Sequence, residues 1–183
     1  GPGGLDELWY LEPTEPGAVP SRVATHTADM RGWDWSPDGQ SIVFSTLDSP
    51  TVSSLHVSPV PGGVATLLVE HASINSSPAW SPDGASIAFH SNRSGSWDIW
   101  VVPAGGGAPT PLTEDSAIDA DPSWSPDGQR IAFRSNRSGA YEIWTVPAAG
   151  GVPERVTFGH SLIFAIDWSP DGNTIATGSF DHT

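Results

Sequence analysis

Trp35-Ser36-Pro37-Asp38-Gly39 recurs as Trp80-Ser81-Pro82-Asp83-Gly84, Trp124-Ser125-Pro126-Asp127-Gly128 and Trp168-Ser169-Pro170-Asp171-Gly172, at intervals of 45, 44 and 44 residues. A period of that size marks a repeat architecture, in which one supersecondary unit buries its apolar face only by stacking on its neighbours. Within the motif, Pro fixes φ, Asp can accept hydrogen bonds from the backbone just ahead of it, and Gly tolerates positive φ. Ser-Pro-Asp-Gly therefore predicts a tight turn, and the motif Trp is expected at an equivalent buried place in every unit.

Working outward, short strands are predicted before the turn, over Arg31 to Trp35, Ser76 to Trp80, Asp121 to Trp124 and Phe164 to Trp168. After the turn come β-branched and aromatic runs, including Ser41 to Phe44, Ser86 to Phe89, Arg130 to Phe133 and Thr174 to Thr177. Two repeats then carry the loop Ser-Asn-Arg-Ser-Gly, at 91–95 and 135–139, followed by a third strand over Trp97 to Val102 and Tyr141 to Val146. A Pro/Gly turn leads to a more variable fourth strand, such as Thr66 to Val69 or Glu154 to Thr157. Four antiparallel strands in about 44 residues make one blade of an all-β propeller.

Composition agrees with that class. The chain has 183 residues, with 20 Gly and 18 Pro that recur in register with the repeat, and nine Trp. The net charge is −14; all seven basic residues are Arg, and they are scattered. Nucleic-acid and anionic-membrane binding both need basic clusters, so neither partner is expected. No apolar run reaches the roughly 18 residues of a membrane-spanning helix. There is no Cys, which excludes disulfides, thiolate metal sites and Cys nucleophiles. Gly1-Pro2-Gly3-Gly4 reads as a scar of tag removal.

The combined pattern is Pro-x-Trp-Ser-Pro-Asp-Gly, then Ile-Ala-Phe-x-Ser-Asn-Arg-Ser-Gly, then Asp/Glu-Ile-Trp-x-Val-Pro, then Gly-Gly. It resembles the TolB-like (WD40-like, Pro-Asp repeat) β-propeller family along essentially the whole chain. The best copies are Pro78 to Thr113 and Pro122 to Thr157; Val64 to Val69 and Leu47 to Ser54 depart from it. The resemblance implies a bacterial periplasmic or other extracytoplasmic setting. It also implies a ring usually closed by six or more blades.

The whole chain, 1–183, is read as one propeller domain, with repeats around 31–75, 76–119 and 120–163, and a fourth formed by 164–183 joined with 5–30. Leu5-Asp6-Glu7-Leu8-Trp9-Tyr10 aligns with the third-strand pattern, so the N-terminal segment supplies strands three and four of a blade and the C-terminal segment strands one and two. Each unpaired half-blade is an open edge. Either one chain closes a four-bladed ring, or a homodimer pairs the half-blades reciprocally and closes eight blades.

For chemistry, Trp35, Trp80, Trp124 and Trp168, with Asp38, Asp83, Asp127 and Asp171 and Gly39, Gly84, Gly128 and Gly172, are read as structural, because a catalytic group is needed once and these recur once per blade. Arg93 and Arg137 are expected to brace their hairpins against Asp98 and Glu142, with anion binding as the other reading. His26, His71 and His160 recur eight or nine residues before a motif Trp. Placed on separate blades, they are too dispersed for a metal site, and no metal or cofactor is expected. Glu114, Asp115, Asp119 and Asp121 make an acidic loop whose spacing does not match an EF-hand. Together these histidines, arginines and carboxylates form the possible ligand face. No Gly-x-Ser-x-Gly nucleophile turn occurs. The expected function is a non-enzymatic binding or scaffold module for protein or peptide partners. The alternative is the gating propeller of a serine peptidase, or a metal-dependent hydrolase or lyase.

Overall fold

A computed structural model describes residues 6–11, 19–159 and 163–179; His160 and the chain ends, with the expectations placed on them, lie outside these. The strands are β1 (Asp6–Tyr10), β2 (Ser21–His26), β3 (Asp29–Trp35), β4 (Ser41–Ser49), β5 (Val52–Pro59), β6 (Thr66–Val69), β7 (Asn75–Trp80), β8 (Ser86–Ser91), β9 (Asp98–Pro103), β10 (Thr110–Pro111), β11 (Asp119–Trp124), β12 (Arg130–Ser135), β13 (Glu142–Pro147), β14 (Glu154–Arg155), β15 (Ile163–Trp168) and β16 (Ile175–Ser179). They form three complete antiparallel blades in sequence order, β3–β6, β7–β10 and β11–β14. Flanking them are two two-stranded sheets, β1–β2 and β15–β16. Among the described residues these halves stay in separate sheets, so the fourth repeat exists here as two unjoined halves.

The turn between the first and second strand of each blade is built as the motif predicts. Asp38 Oδ1 accepts from Ser36 Oγ at 2.7 Å and from the Gln40 amide at 2.9 Å. The Ser–Asp bond repeats at Ser81–Asp83, Ser125–Asp127 and Ser169–Asp171, each at 2.6 Å. Those hydroxyl bonds hold all four carboxyls below the usual range, Asp171 at about 2. The turn glycines sit at φ between 68° and 73°, where a side chain is strained.

A bulge recurs in each first strand, seen as register shifts between Arg31 and Trp33, Ser76 and Ala79, Ala120 and Ser123, and Ile163 and Ala165. Its residues Gly32, Ser77 and Asp121 have φ of 50°, 49° and 55°. Ser77 Oγ donates to Asp121 Oδ1 on the next blade at 2.9 Å, so the bulges stack from blade to blade.

The core lies between blades. Val43, Leu55 and Val69 of the first complete blade pack on Ile87, Phe89 and Val102 of the second. Ala88 and Ile99 of the second pack on Ile131, Phe133 and Val146 of the third. Trp80, Trp124 and Trp168 pack against the seams between blades from the edge and are half-buried, and Trp35 is exposed, which corrects the expectation that all four are buried. For Trp124 and Trp168 the polar tip keeps the ring at the edge: the indole N–H of Trp124 donates to the Ala79 carbonyl and that of Trp168 to the Ser123 carbonyl, both at 3.1 Å, whereas that of Trp80 has no partner among the described residues. Trp35 is 41% exposed and meets Tyr10 edge-on.

Candidate functional site: the loop face

Loops that join one blade to the next and loops that join second to third strands emerge on the same face. In the second and third blades these two loops are tied together. Asn92 Oδ1 accepts the Ile74 amide at 2.9 Å, and Asn136 Oδ1 accepts the Ile118 amide at 2.8 Å. The arginine next in sequence completes each clasp. Arg93 donates to Ser91 Oγ and to Asn75 Oδ1 on the first strand of its own blade, at 3.1 and 2.5 Å. Arg137 donates to Ser135 Oγ at 2.9 Å and pairs with Asp119 at 2.5 Å and Asp115 at 3.1 Å. Each guanidinium also lies over two rings: Arg93 over Phe89 and Trp100, Arg137 over Phe133 and Trp144, 4.9–5.4 Å from the centroids.

This geometry changes the expected role of both arginines. They reach back to the first strand, not forward to Asp98 and Glu142. Those two carboxylates, both fully buried, have other partners. Asp98 accepts from Ser94 and Ser96 at 2.5 and 2.7 Å. Glu142 accepts from Thr157, Arg155 and the Gly159 amide at 2.5, 2.8 and 2.6 Å. Through their Nε and Nη2 atoms Arg93 and Arg137 act as loop fasteners.

The acidic candidates separate in the same way. Glu114 and Asp115 are exposed. Asp119 is buried under Arg137, and that burial pushes its carboxyl above the usual range. Asp121 sits at the bulge, where Arg134 Nε and Ser77 Oγ donate to it and its amide donates to His90 Nδ1 at 3.2 Å. Asp29, Asp48 and Glu70 are also exposed on this face, so acidic side chains extend from the first complete blade to the third.

The histidines do not converge. His71 contacts Ser73 at 3.1 Å, and His26 packs against His56 with centroids 4.9 Å apart. Among the described residues no three His, Asp or Glu side chains come together as metal ligands. His26, with Thr27, Asp29, Leu47 and Asp48, lines an open cleft of about 460 Å³ on the first complete blade. That blade has no clasp: its second and third strands run on as a hairpin through Pro50 and Thr51, where the others have Asn-Arg-Ser-Gly. His56 takes the place of Trp100 and Trp144, stacked on Phe44 at 5.5 Å; burial lowers its pKa.

The clasp acceptors Asn75 and Asp119 were not singled out together from sequence. Both stand five residues before a motif Trp, the place that Met30 takes in the blade lacking the arginine. Reading that column beside the Arg column reveals the pairing.

Three complete blades, two half-blades and fastened loops on one face define a β-propeller. Residues 17–182 match the family described as the TolB beta propeller domain, and the chain belongs to that family. Comparison with curated proteins gave no match. Among solved structures, a TolB from Agrobacterium tumefaciens is 28% identical with a TM-score of 0.82, over 96% of this chain and 64% of that one. TolB from Acinetobacter baumannii is 25% identical with a TM-score of 0.77, over 87% of this chain and 40% of that one. A chain of a nidogen/laminin complex has a TM-score of 0.75 at 12% identity, over 94% of this chain and 66% of that one, a likeness of fold alone. The chain thus spans less than two thirds of the TolB structures it matches.

Proposed function

We propose that this propeller is a non-enzymatic binding module that takes a basic protein or peptide segment on its loop face. One observation carries the reading: Glu114, Asp115, Asp29, Asp48 and Glu70 are exposed on one surface, and the loops of the second and third blades beneath it are fastened. Arg93 and Arg137 lock the loop pairs beside Glu70, Glu114 and Asp115, the last of which also pairs with Arg137 at 3.1 Å; Asp29 and Asp48 stand on the first complete blade, which has no clasp, Asp29 lying 3.6 Å from Arg31. Loops that are already ordered lose little entropy on binding. Clustered carboxylates steer a cationic partner and reject an anionic one. The large negative net charge extends that field over the molecule.

Panning a random peptide library on the immobilised chain tests this. Enriched peptides should be rich in Lys and Arg, bind more weakly as salt rises, and lose affinity for a Glu114→Gln/Asp115→Asn variant. Enriched peptides indifferent to that variant and to the matching Asp48→Asn change would refute the assignment to this face. Stoichiometric metal in the purified protein would favour the hydrolase or lyase alternative.

A further inference from the structure

We propose that two copies of this chain close into one ring by reciprocal exchange of half-blades, β15–β16 of each copy docking on β1–β2 of the other. The inference is independent of the ligand reading and rests on continuing the blade–blade interface already built twice within the chain.

At two junctions the motif Trp donates its indole N–H to the carbonyl of the residue before the motif Trp of the preceding blade: Trp124 to Ala79, Trp168 to Ser123. At the junction of the first and second complete blades, where Asp34 holds that place, the Trp80 indole N–H has no partner among the described residues and the Trp80 amide donates to Asp34 Oδ2 at 2.7 Å instead. Trp35 has no such strand before it, because the preceding half-blade holds only β1 and β2. Around the ring, the place held by Asp34, Ala79 and Ser123 falls to Asp167, on β15. The flank that β15–β16 would cover is unusually apolar for a surface: Trp33 is 60% exposed, Trp35 41%, Trp9 50% and Leu11 51%.

The strand register is specified as well. In the second complete blade Ile87 pairs with Val102 and Phe89 with Trp100; in the third, Ile131 pairs with Val146 and Phe133 with Trp144. The corresponding residues of β16 are Ile175 and Thr177, and the third-strand pattern places Leu11 and Trp9 opposite them. Leu8 and Tyr10 already point the other way, into the cluster of Val23, Ala24, Ile42 and Phe44. Trp9 and Leu11 are therefore the free face of β1.

A matching recess lies at the other end. An open groove of about 540 Å³ has Ile143, Val156, Trp168, Ile175 and Thr177 on its wall, with the Arg130–Glu154 ion pair also lining it. Ile143 and Val156 are the counterparts of Ile99 and Leu112, since the Val156 and Leu112 amides donate to the Ile143 and Ile99 carbonyls. Between the second and third blades, Ile99 and Leu112 are packed by Trp144 and Val146. The groove is thus the empty form of a seat that Trp and an aliphatic residue fill one blade earlier, and Trp9 and Leu11 are the side chains of that kind left uncovered.

The chain does not fill its own groove among the described residues. Closing four blades on themselves requires about 90° between neighbours, against about 45° for eight, both within the range propellers adopt. The reciprocal pairing has closed two-fold symmetry and buries both open edges at once.

The test uses the 183-residue chain. Light scattering at micromolar concentration should give twice the 19.2 kDa chain mass. Because the chain lacks Cys, a Trp9→Cys/Thr177→Cys variant reports the register directly: oxidation should yield a disulfide-linked dimer on a denaturing gel. Thr177→Arg, on the exposed groove wall, should halve the mass while leaving the circular dichroism unchanged, as should Leu11→Ser. A single-chain mass, an internal disulfide within one chain, a mass above two chains, or a Thr177→Arg protein that stays dimeric would each overturn the proposal.

Discussion

Arg137 reaches back 18 residues to Asp119, with Nη2 and Oδ2 2.5 Å apart, and so ties a second-to-third-strand loop to the first strand of its own blade. The carboxylate is fully buried and the guanidinium nearly so. Removing one member of such a pair strands a charge. Arg137→Met should cost about 3–5 kcal/mol in urea unfolding. Asp119→Asn together with Arg137→Met should recover part of that loss, giving a non-zero coupling energy. Arg93→Met should cost less, about 1–2 kcal/mol, because its acceptor Asn75 is neutral. Equal costs at the two sites would contradict the role assigned to the buried charge.

The repeat made the blades legible because each strand and turn signal appears three or four times in register, so noise at one position is averaged by the others. Ser-Pro-Asp-Gly placed the turns, and Ile-Ala-Phe placed the second strands at β8 and β12. The clasps were less legible. Loop proximity in sequence suggested Asp98 and Glu142 as partners, five residues from each arginine, whereas the strand order brings Asn75 and Asp119 under the loop from 18 residues away. The exposed carboxylates could be listed from sequence, but which of Glu114, Asp115, Asp119 and Asp121 remain in water depends on the bulge at Asp121 and the clasp above Asp119. Both are tertiary features. The half-burial of Trp124 and Trp168 goes with a hydrogen bond across blades, which no single repeat encodes.

His90 supplies a pH dependence. Burial lowers its pKa to about 4, an effect the nearby Arg134 reinforces and the Asp121 carboxylate opposes, and its Nδ1 accepts the Asp121 amide. The unfolded chain takes up this proton near 6.5 and the folded chain only near 4. Between those values the unfolded state holds more protons, so stability falls as the pH is lowered from about 6.5 towards 4. His56, also lowered, acts in the same direction. Chemical-denaturation midpoints measured across that window should decline on acidification, and His90→Gln should flatten the decline. An unchanged slope in the variant would assign the titration elsewhere.

Trp124 tests the seam between the second and third blades. Trp124→Phe keeps a ring there but loses the hydrogen bond to Ala79, leaving that carbonyl without the indole donor. The expected cost is about 1–2 kcal/mol in urea unfolding. Trp124→Ala, which also removes the ring from the cluster with Ile131 and Phe133, should cost more, about 3 kcal/mol for a half-buried indole. A near-neutral Phe variant would show that the ring alone matters.

The turn glycines separate backbone strain from crowding. Gly39 and Gly128 share almost the same φ, 68° and 69°. A Cβ on Gly39 would meet nothing within 4 Å, whereas one on Gly128 would lie 3.3 Å from Cγ of Pro82 in the preceding blade's turn. Gly39→Ala should therefore cost only the left-handed penalty, about 1 kcal/mol. Gly128→Ala carries the same penalty plus displacement of Pro82. Adjacent turns are in contact where Gly128 meets Pro82, so the larger loss should fall when Pro82→Ala is combined with Gly128→Ala. Gly39→Ala should show no coupling to Pro82→Ala in the same thermal-unfolding series. Identical losses for the two glycine variants would mean that neighbouring turns move freely past each other.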